Sequence, residues 1–193
     1  MFDRISQVSA HSSASISPSP AVVHEIRNIP DGAPAPMVIL EFAPSAEDLD
    51  WIYLTAGMSN LPVPAGDDNH RLELIMYTRH KDEQIVNLLA GLATYPFEHN
   101  VRFSAGDTVA GRLNRGVVAR SQLTEILLAK PNFDRPEAAR ISFDDGTHGQ
   151  ILWVLPISTG ERTLIIEQGL ASFYRAIEDQ GVDVADLQRA PLV

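Results

Sequence analysis

Short apolar segments that end at proline, glycine, aspartate or serine constrain the fold of this chain more than any other feature of its sequence. Segments of this length, rich in β-branched and aromatic residues, are typical of β-strands. Residues 30–36, with the sequence PDGAPAP, cannot be helical because each proline restricts its own backbone and that of the residue before it. The predicted strands cover residues 21–27, 37–42, 51–55, 71–78, 123–129 and 150–156.

Residues 71–78 show the alternation expected of a strand in which one face is well buried. One face would carry Leu72, Leu74 and Met76. The other would carry Arg71, Glu73 and Ile75.

Two regions have the periodicity of amphipathic helices. The first begins at the N-cap Asp82, has an apolar stripe from Ile85 to Leu92, and is predicted to end at Pro96. The second begins at Ser158, with Glu161 at capping-box spacing, and Gly169 would divide it into two short helices. Because the predicted strands outnumber the helices and do not alternate with them, we expect an α+β fold. Its mixed, largely antiparallel sheet would carry the helices on one side.

Composition excludes several classes of site. The 193 residues include no cysteine, which removes disulfides, thiolate metal ligands and cysteine nucleophiles. Fifteen Lys and Arg against 25 Asp and Glu give a net charge of −10, whereas nucleic-acid binding needs a surplus of positive charge. No stretch approaches the roughly 20 apolar residues that cross a bilayer. We therefore expect a cytoplasmic protein that binds neither nucleic acid nor a membrane.

The N-terminal residues differ in composition from the rest of the chain. Residues 9–20, SAHSSASISPSP, offer too little apolar surface to offset the entropy of ordering them. The preceding residues include Asp3 and Arg4, so they lack the apolar core of a secretory signal. The sequence predicts a flexible segment over residues 1–20 and one domain over residues 21–193.

Catalytic and metal-binding motifs are absent from the sequence, so no cofactor, metal site or catalytic residue is predicted. His70 follows Asp67 and Asp68 within a Gly/Asp/Asn stretch, for which a solvated turn is the favoured interpretation. Glu73, with Ser59 or a histidine, could form a hydrolase pocket. The structural alternative for Glu73 is a partly buried carboxylate paired with an arginine.

Two loops are candidates for binding a partner protein. In the first, Gly57 permits a sharp exit from a buried strand and two prolines stiffen the continuation, which would present Met58 and Leu61. Alternatively, both side chains tuck under the loop as additional core. The second loop, within residues 101–120, is rich in arginine and could grip an acidic partner. The predicted partner-binding residues are Gly57, Met58, Ser59, Leu61, Pro62, Arg112 and Arg115.

Three motifs, in this order, resemble the suppressor-of-fused family: TAGMS at 55–59, RLEL at 71–74, and ILWVLPI followed by Glu161 at 151–161. The similarity spans roughly residues 22–177. Its structural motif residues here would be Trp51, Arg71, Glu73, Pro156 and Glu161. One departure is that Gly106 is followed by Asp107, where relatives often have a Gly-His pair.

The resemblance implies a small, single-domain bacterial type that binds protein, is not an enzyme and needs no cofactor. Its partner would be an extended peptide or a toxin domain, and one implied role is that of an immunity protein against a polymorphic toxin. Two other functions stay open: a small hydrolase-like enzyme with a carboxylate, serine and histidine pocket, and a self-associating assembly protein. The sequence does not fix the oligomeric state.

Overall fold

The computed structural model describes residues 4–16, 20, 22–46, 49–65, 70–110, 116–131 and 136–193. The strands are β1 (Val22–Glu25), β2 (Val38–Phe42), β3 (Trp51–Ala56), β4 (Arg71–Thr78), β5 (Thr108–Val109), β6 (Glu125–Ala129), β7 (Arg140–Ser142) and β8 (His148–Ile157). The helices are α1 (Arg4–Ser15), α2 (Glu83–His99), α3 (Thr159–Gln168) and α4 (Leu170–Gln180). Short 3-10 turns occupy Met58–Asn60 and Pro136–Ala139.

All eight strands form one mixed, largely antiparallel sheet, which confirms the α+β prediction. The strand order is β1-β2-β3-β4-β8-β6-β5, and β7 pairs with β8 off this path. Strands β1 to β4 form an antiparallel meander, whereas β4 and β8 run parallel, with Arg71 opposite Gly149. The strand β8 is therefore central, with β4 along one side and β7 and then β6 along the other.

Helices cover both faces of the sheet, and not one face as predicted. Helix α2 buries Ile85, Leu89 and Leu92 against the face that carries Leu72 and Leu74. Helix α1 packs on the opposite face, and α3 and α4 pack on that opposite face beside β6 and β8. As a result β4 is buried on both sides and not on one. Of its two charged residues, Arg71 is half-buried and Glu73 is a core residue.

Residues 4–15 form a helix, where the sequence predicted flexibility. Helix α1 buries Arg4, Val8 and Ser12, which are spaced four residues apart on one stripe. The Ser12 hydroxyl donates to the carbonyl of Ser9 at 2.9 Å, so the serine-rich composition is accommodated within the helix. This stripe and the neighbouring Ile5 pack the helix against the sheet, and average composition does not reveal such a stripe.

The predicted caps of the later helices are confirmed, but one predicted helix end is wrong. Asp82 caps α2, Ser158 and Glu161 form a capping box, and Gly169 separates α3 from α4. Helix α2 runs through Pro96 to His99, because a proline in the last turn removes only its own bond to the preceding turn. Asn100, in a left-handed conformation, ends the helix instead.

Candidate functional site

The Glu73 carboxylate joins the first two sequence motifs. Strands β3 and β4 pair as far as Leu54 opposite Ile75, and the chain beyond that point turns over Glu73. The Glu73 side chain is fully buried. One oxygen accepts from the Thr55 hydroxyl at 2.7 Å. The other accepts from the Gly57 and Ser59 amides, each at 3.0 Å, and from the Ser59 hydroxyl at 2.6 Å.

Glycine at position 57 is what allows the chain to wrap around this carboxylate. Gly57 has φ of +108°, in the region that residues with a Cβ avoid. A Cβ placed there would lie 2.5 Å from the Pro36 carbonyl oxygen, too close for any side chain. The 3-10 turn Met58–Asn60 follows, and its tight winding places the amide of Ser59 beside that of Gly57.

The environment of Glu73 shifts its titration toward neutrality. Burial raises the pKa of Glu73 to about 7, while the hydrogen bonds from Ser59, Thr55 and Gly57 oppose that rise. No arginine pairs with Glu73 among the described residues, contrary to the expectation, because two hydroxyls and two backbone amides fill its acceptor sites. The carboxylate is enclosed and holds the turn, so it has no open position for a substrate.

Two arginines secure the outer side of the same turn. The guanidinium groups of Arg4 and Arg71 donate to the carbonyl oxygen of Ser59, at 2.8 and 2.9 Å. Arg4 also bonds the Asp145 carboxylate, donates to the Thr147 hydroxyl at 3.0 Å and lies over the Phe143 ring. Helix α1 is thereby attached both to the turn and to the hairpin between β7 and β8.

The predicted partner loop is only partly exposed. Met58 has no exposed surface and belongs to the core, and Ser59 is equally buried, so neither can be displayed to a partner as expected. Leu61 is 40% exposed and Pro62 is half-buried. The role of this loop in partner binding stays a prediction, now restricted to those two residues. Arg112 and Arg115 lie outside the described residues.

A serine, histidine and carboxylate pocket is not assembled by the part of the chain that is described. The Ser59 hydroxyl donates to Glu73, whereas the nearest histidine in sequence, His70, contacts the Phe103 carbonyl at 3.1 Å. The described residues contain no cluster of three His, Cys, Asp or Glu side chains that could hold a metal ion. Asp67 and Asp68 lie outside the described residues.

The third motif is organised around a buried ion pair that sequence reasoning missed. Arg189 contacts the two carboxylate oxygens of Glu161 at 2.6 and 3.0 Å and donates to the Pro156 carbonyl at 3.3 Å. Glu161 also accepts from the backbone amides of Ser158 and Leu192. The capping-box spacing identified Glu161, but nothing in the sequence indicated its partner 28 residues later.

Glu41 is a buried carboxylate that sequence reasoning missed, and its partner Lys81 also contacts Trp51. Glu41 is buried in β2 and contacts the ammonium of Lys81 at 2.5 Å and His24 at 3.0 Å. Lys81 also lies over the Trp51 ring, 5.1 Å from its centre. The segment MVILEF predicted a strand, but nothing in that pattern indicated which residues would pair with Glu41.

The three motifs that carried the family resemblance therefore enclose buried hydrogen-bond networks. The sequence model described as "Suppressor of fused protein (SUFU)" matches residues 33–190. The chain belongs to the suppressor of fused family. Helix α1 lies before the matched range, so Arg4 is outside it, whereas the partners of Arg4, Ser59, Asp145 and Thr147, lie within it.

Solved structures show the same suppressor-of-fused fold. A suppressor-of-fused homologue from Neisseria gonorrhoeae superposes with a TM-score of 0.75 at 19% identity, covering 99% of this chain and 97% of that one. The Sufu–Fu complex gives a TM-score of 0.70 at 11% identity, with 97% and 90% covered. Drosophila Suppressor of Fused gives 0.66 at 12% identity, and this chain spans 50% of its length. A search of curated protein sequences found no match.

In the described part of this suppressor-of-fused chain, no helix is both long and apolar enough to cross a membrane.

Proposed function

We propose that this chain is a non-catalytic protein-binding domain of the suppressor-of-fused type. The observation that carries the proposal is that the Glu73 carboxylate is closed off from solvent. The acidic group with a raised pKa is fully buried and saturated by hydrogen bonds from its own turn. An enzyme would need such a group at an open pocket. The structure of a Sufu–Fu complex adds that a protein of this fold is found with a protein partner.

The partner we propose is a protein with a basic surface, met in the cytoplasm. A net charge of −10 would accelerate the approach of such a partner and orient it. A basic toxin domain, neutralised by this chain as an immunity protein, fits that description. Binding should then weaken as salt screens the charges.

Leu61 and Pro62 are the contact residues that remain on the surface of the loop. The turn beneath them is fixed by Glu73, Arg4 and Arg71, so little conformational entropy would be lost when the loop binds. Leu61 supplies the exposed apolar side chain.

The experiment measures the affinity of the chain for the protein encoded beside it in the genome, at about 50 and about 200 mM salt. Leu61→Asp should weaken binding about tenfold or more, because it places a charge within the apolar contact. Leu49→Asp is the matched control, since Leu49 is 70% exposed and lies outside the loop. Equal loss in both variants would contradict the contact assignment. Hydrolytic activity abolished by both Ser59→Ala and Glu73→Ala would overturn the proposal in favour of an enzyme.

Self-association is a second candidate, favoured by the edge strand β1. Val22 and Val23 are 39% and 53% exposed on this strand, which pairs only with β2 among the described residues. An exposed apolar edge can pair with a second copy. The molecular mass measured at two protein concentrations would increase with concentration if the chain associates in this way.

A further inference from the structure

A cleft of about 680 Å³ lies between helix α4 and strand β8, beside Lys130 and Pro131 at the end of β6 and outside the Glu73 turn. Leu155 and Trp153 of β8 line its sheet side, and Tyr174 and Ile177 of α4 line its helix side. Its volume falls within the range of cavities that hold small ligands or the anchoring side chains of a peptide. No residue of the loop 57–64 lines it, so the cleft is a separate surface.

The sheet side of the cleft is rigid. Trp153 is paired with Ala129 of β6 and Ile75 of β4, and Tyr77 contacts the Trp153 ring edge-on at 5.7 Å between centroids. Leu155 is 1% exposed and is held between β6 and the helices. An apolar side chain that enters the cleft would therefore meet a preformed surface. Little free energy would be spent on ordering that surface during binding.

Charges of opposite sign line the cleft and are not neutralised by each other. Lys130, which follows β6, is on the sheet side, and Glu178 of α4 is on the helix side. Both are exposed, and neither has an ion-pair partner within the part of the chain that the structure describes. A complementary ligand has an apolar centre with one negative and one positive group around it.

We infer that the cleft binds a peptide segment of the partner protein, with an apolar anchor residue between an acidic and a basic residue. The acidic residue faces Lys130 and the basic residue faces Glu178. A peptide supplies both signs of charge, whereas a fatty acid or another singly charged amphiphile supplies one. This inference rests on the proposed protein-binding function and assigns a second contact surface to it.

The test uses three acetylated, amidated hexapeptides with the shared centre Gly-Trp-Leu-Gly, titrated by calorimetry into the full chain. Their end residues are Asp and Lys, Asp and Asp, or Lys and Lys. This set is chosen because it gives the same answer whichever direction the peptide runs. The wild-type chain should prefer the mixed peptide about fivefold over either of the others. Lys130→Glu should shift the preference to the Lys and Lys peptide, and Glu178→Lys to the Asp and Asp peptide.

Three results would overturn the inference: no binding of any peptide, equal affinity for all three, or tighter binding of dodecanoate than of the mixed peptide. Circular dichroism of both charge variants should match the wild type, because both side chains are exposed. The two proposals fail differently. If a partner protein binds the wild type, Lys130→Glu and Glu178→Lys with equal affinity, the cleft is not a contact surface for it. The proposed protein-binding function would not be affected by that result.

Discussion

Arg4 and Arg71 donate to one carbonyl oxygen, that of Ser59, although they come from helix α1 and strand β4. Two cations on one acceptor repel each other, and Asp145 offsets this by bonding Arg4. Because Arg4 is 5% exposed, its bonds are shielded from water. The first helix is therefore held by charge and hydrogen bonding as well as by its apolar residues Ile5 and Val8.

Arg4→Ala should lower the stability of the whole domain. It leaves the Ser59 carbonyl with one donor and removes the attachment of α1 to the Thr147 hydroxyl. We expect a loss of about 2 kcal/mol, which lowers the melting temperature by about 4–8 °C in a domain of this size. Thermal denaturation followed by circular dichroism measures it. Arg27→Ala is the control, because Arg27 is exposed, and an equal fall there would show that the effect is not specific to Arg4.

The titration of Glu73 predicts a pH dependence of stability. Burial raises its pKa in the folded state to about 7, from the ordinary 4.5. Between these values the folded state holds a proton that the unfolded state has lost, so the contribution of Glu73 falls as pH rises. The fall totals roughly 3 kcal/mol and is complete above about pH 8. Below about pH 4 both states are protonated and the contribution is constant.

Glu73→Gln removes this titration while keeping the side-chain shape. Urea denaturation from pH 4.5 to pH 8 should show the wild type losing stability relative to Glu73→Gln across that interval. A constant difference between the two proteins would mean that Glu73 has the same pKa in the folded and unfolded states.

Gly57→Ala should be more destabilising than alanine at another glycine with positive φ. Its Cβ would add a contact of 2.5 Å with the Pro36 carbonyl to the cost of the left-handed backbone. Gly32→Ala is the matched control, since Gly32 has φ of +85° and no atom within 4 Å of a Cβ. We expect about 1 kcal/mol for Gly32→Ala and about 3 kcal/mol or more for Gly57→Ala, from chemical denaturation. Equal losses would show that the Pro36 backbone moves freely away.

Arg189→Met should cost about 3–5 kcal/mol, because it leaves the Glu161 carboxylate buried and without its cation. The double variant with Glu161→Gln should recover part of that loss, since no unpaired charge then remains buried. A double-mutant cycle from denaturation midpoints gives the coupling. Additive losses in the cycle would show that the two side chains act independently.

Local patterns were sufficient to predict six of the eight strands, the caps of α2 and α3 and the break at Gly169, because each depends on residues within a few positions. The short strands β5 and β7 were not predicted. The family resemblance placed Thr55 and Ser59 in one motif and Glu73 in the next. Local patterns could not show that Glu73 pairs with backbone amides and not with an arginine, since that depends on the φ of Gly57. Partners far apart in sequence, such as Glu161 and Arg189, leave no periodicity to detect.

The parallel pairing of β4 with β8 sets an order for the assembly of the molecule during synthesis. The meander β1 to β4 can form from neighbouring residues, but Arg71 meets Gly149 only after nearly eighty further residues have emerged. Such distant pairing slows folding, and until it occurs the outer edge of β4 stays open to other chains. Helix α1 likewise cannot form its bonds to Asp145 and Thr147 until those residues have been synthesised. A chain that ends before residue 148 would therefore be prone to aggregate, although it already contains seven of the eight strands.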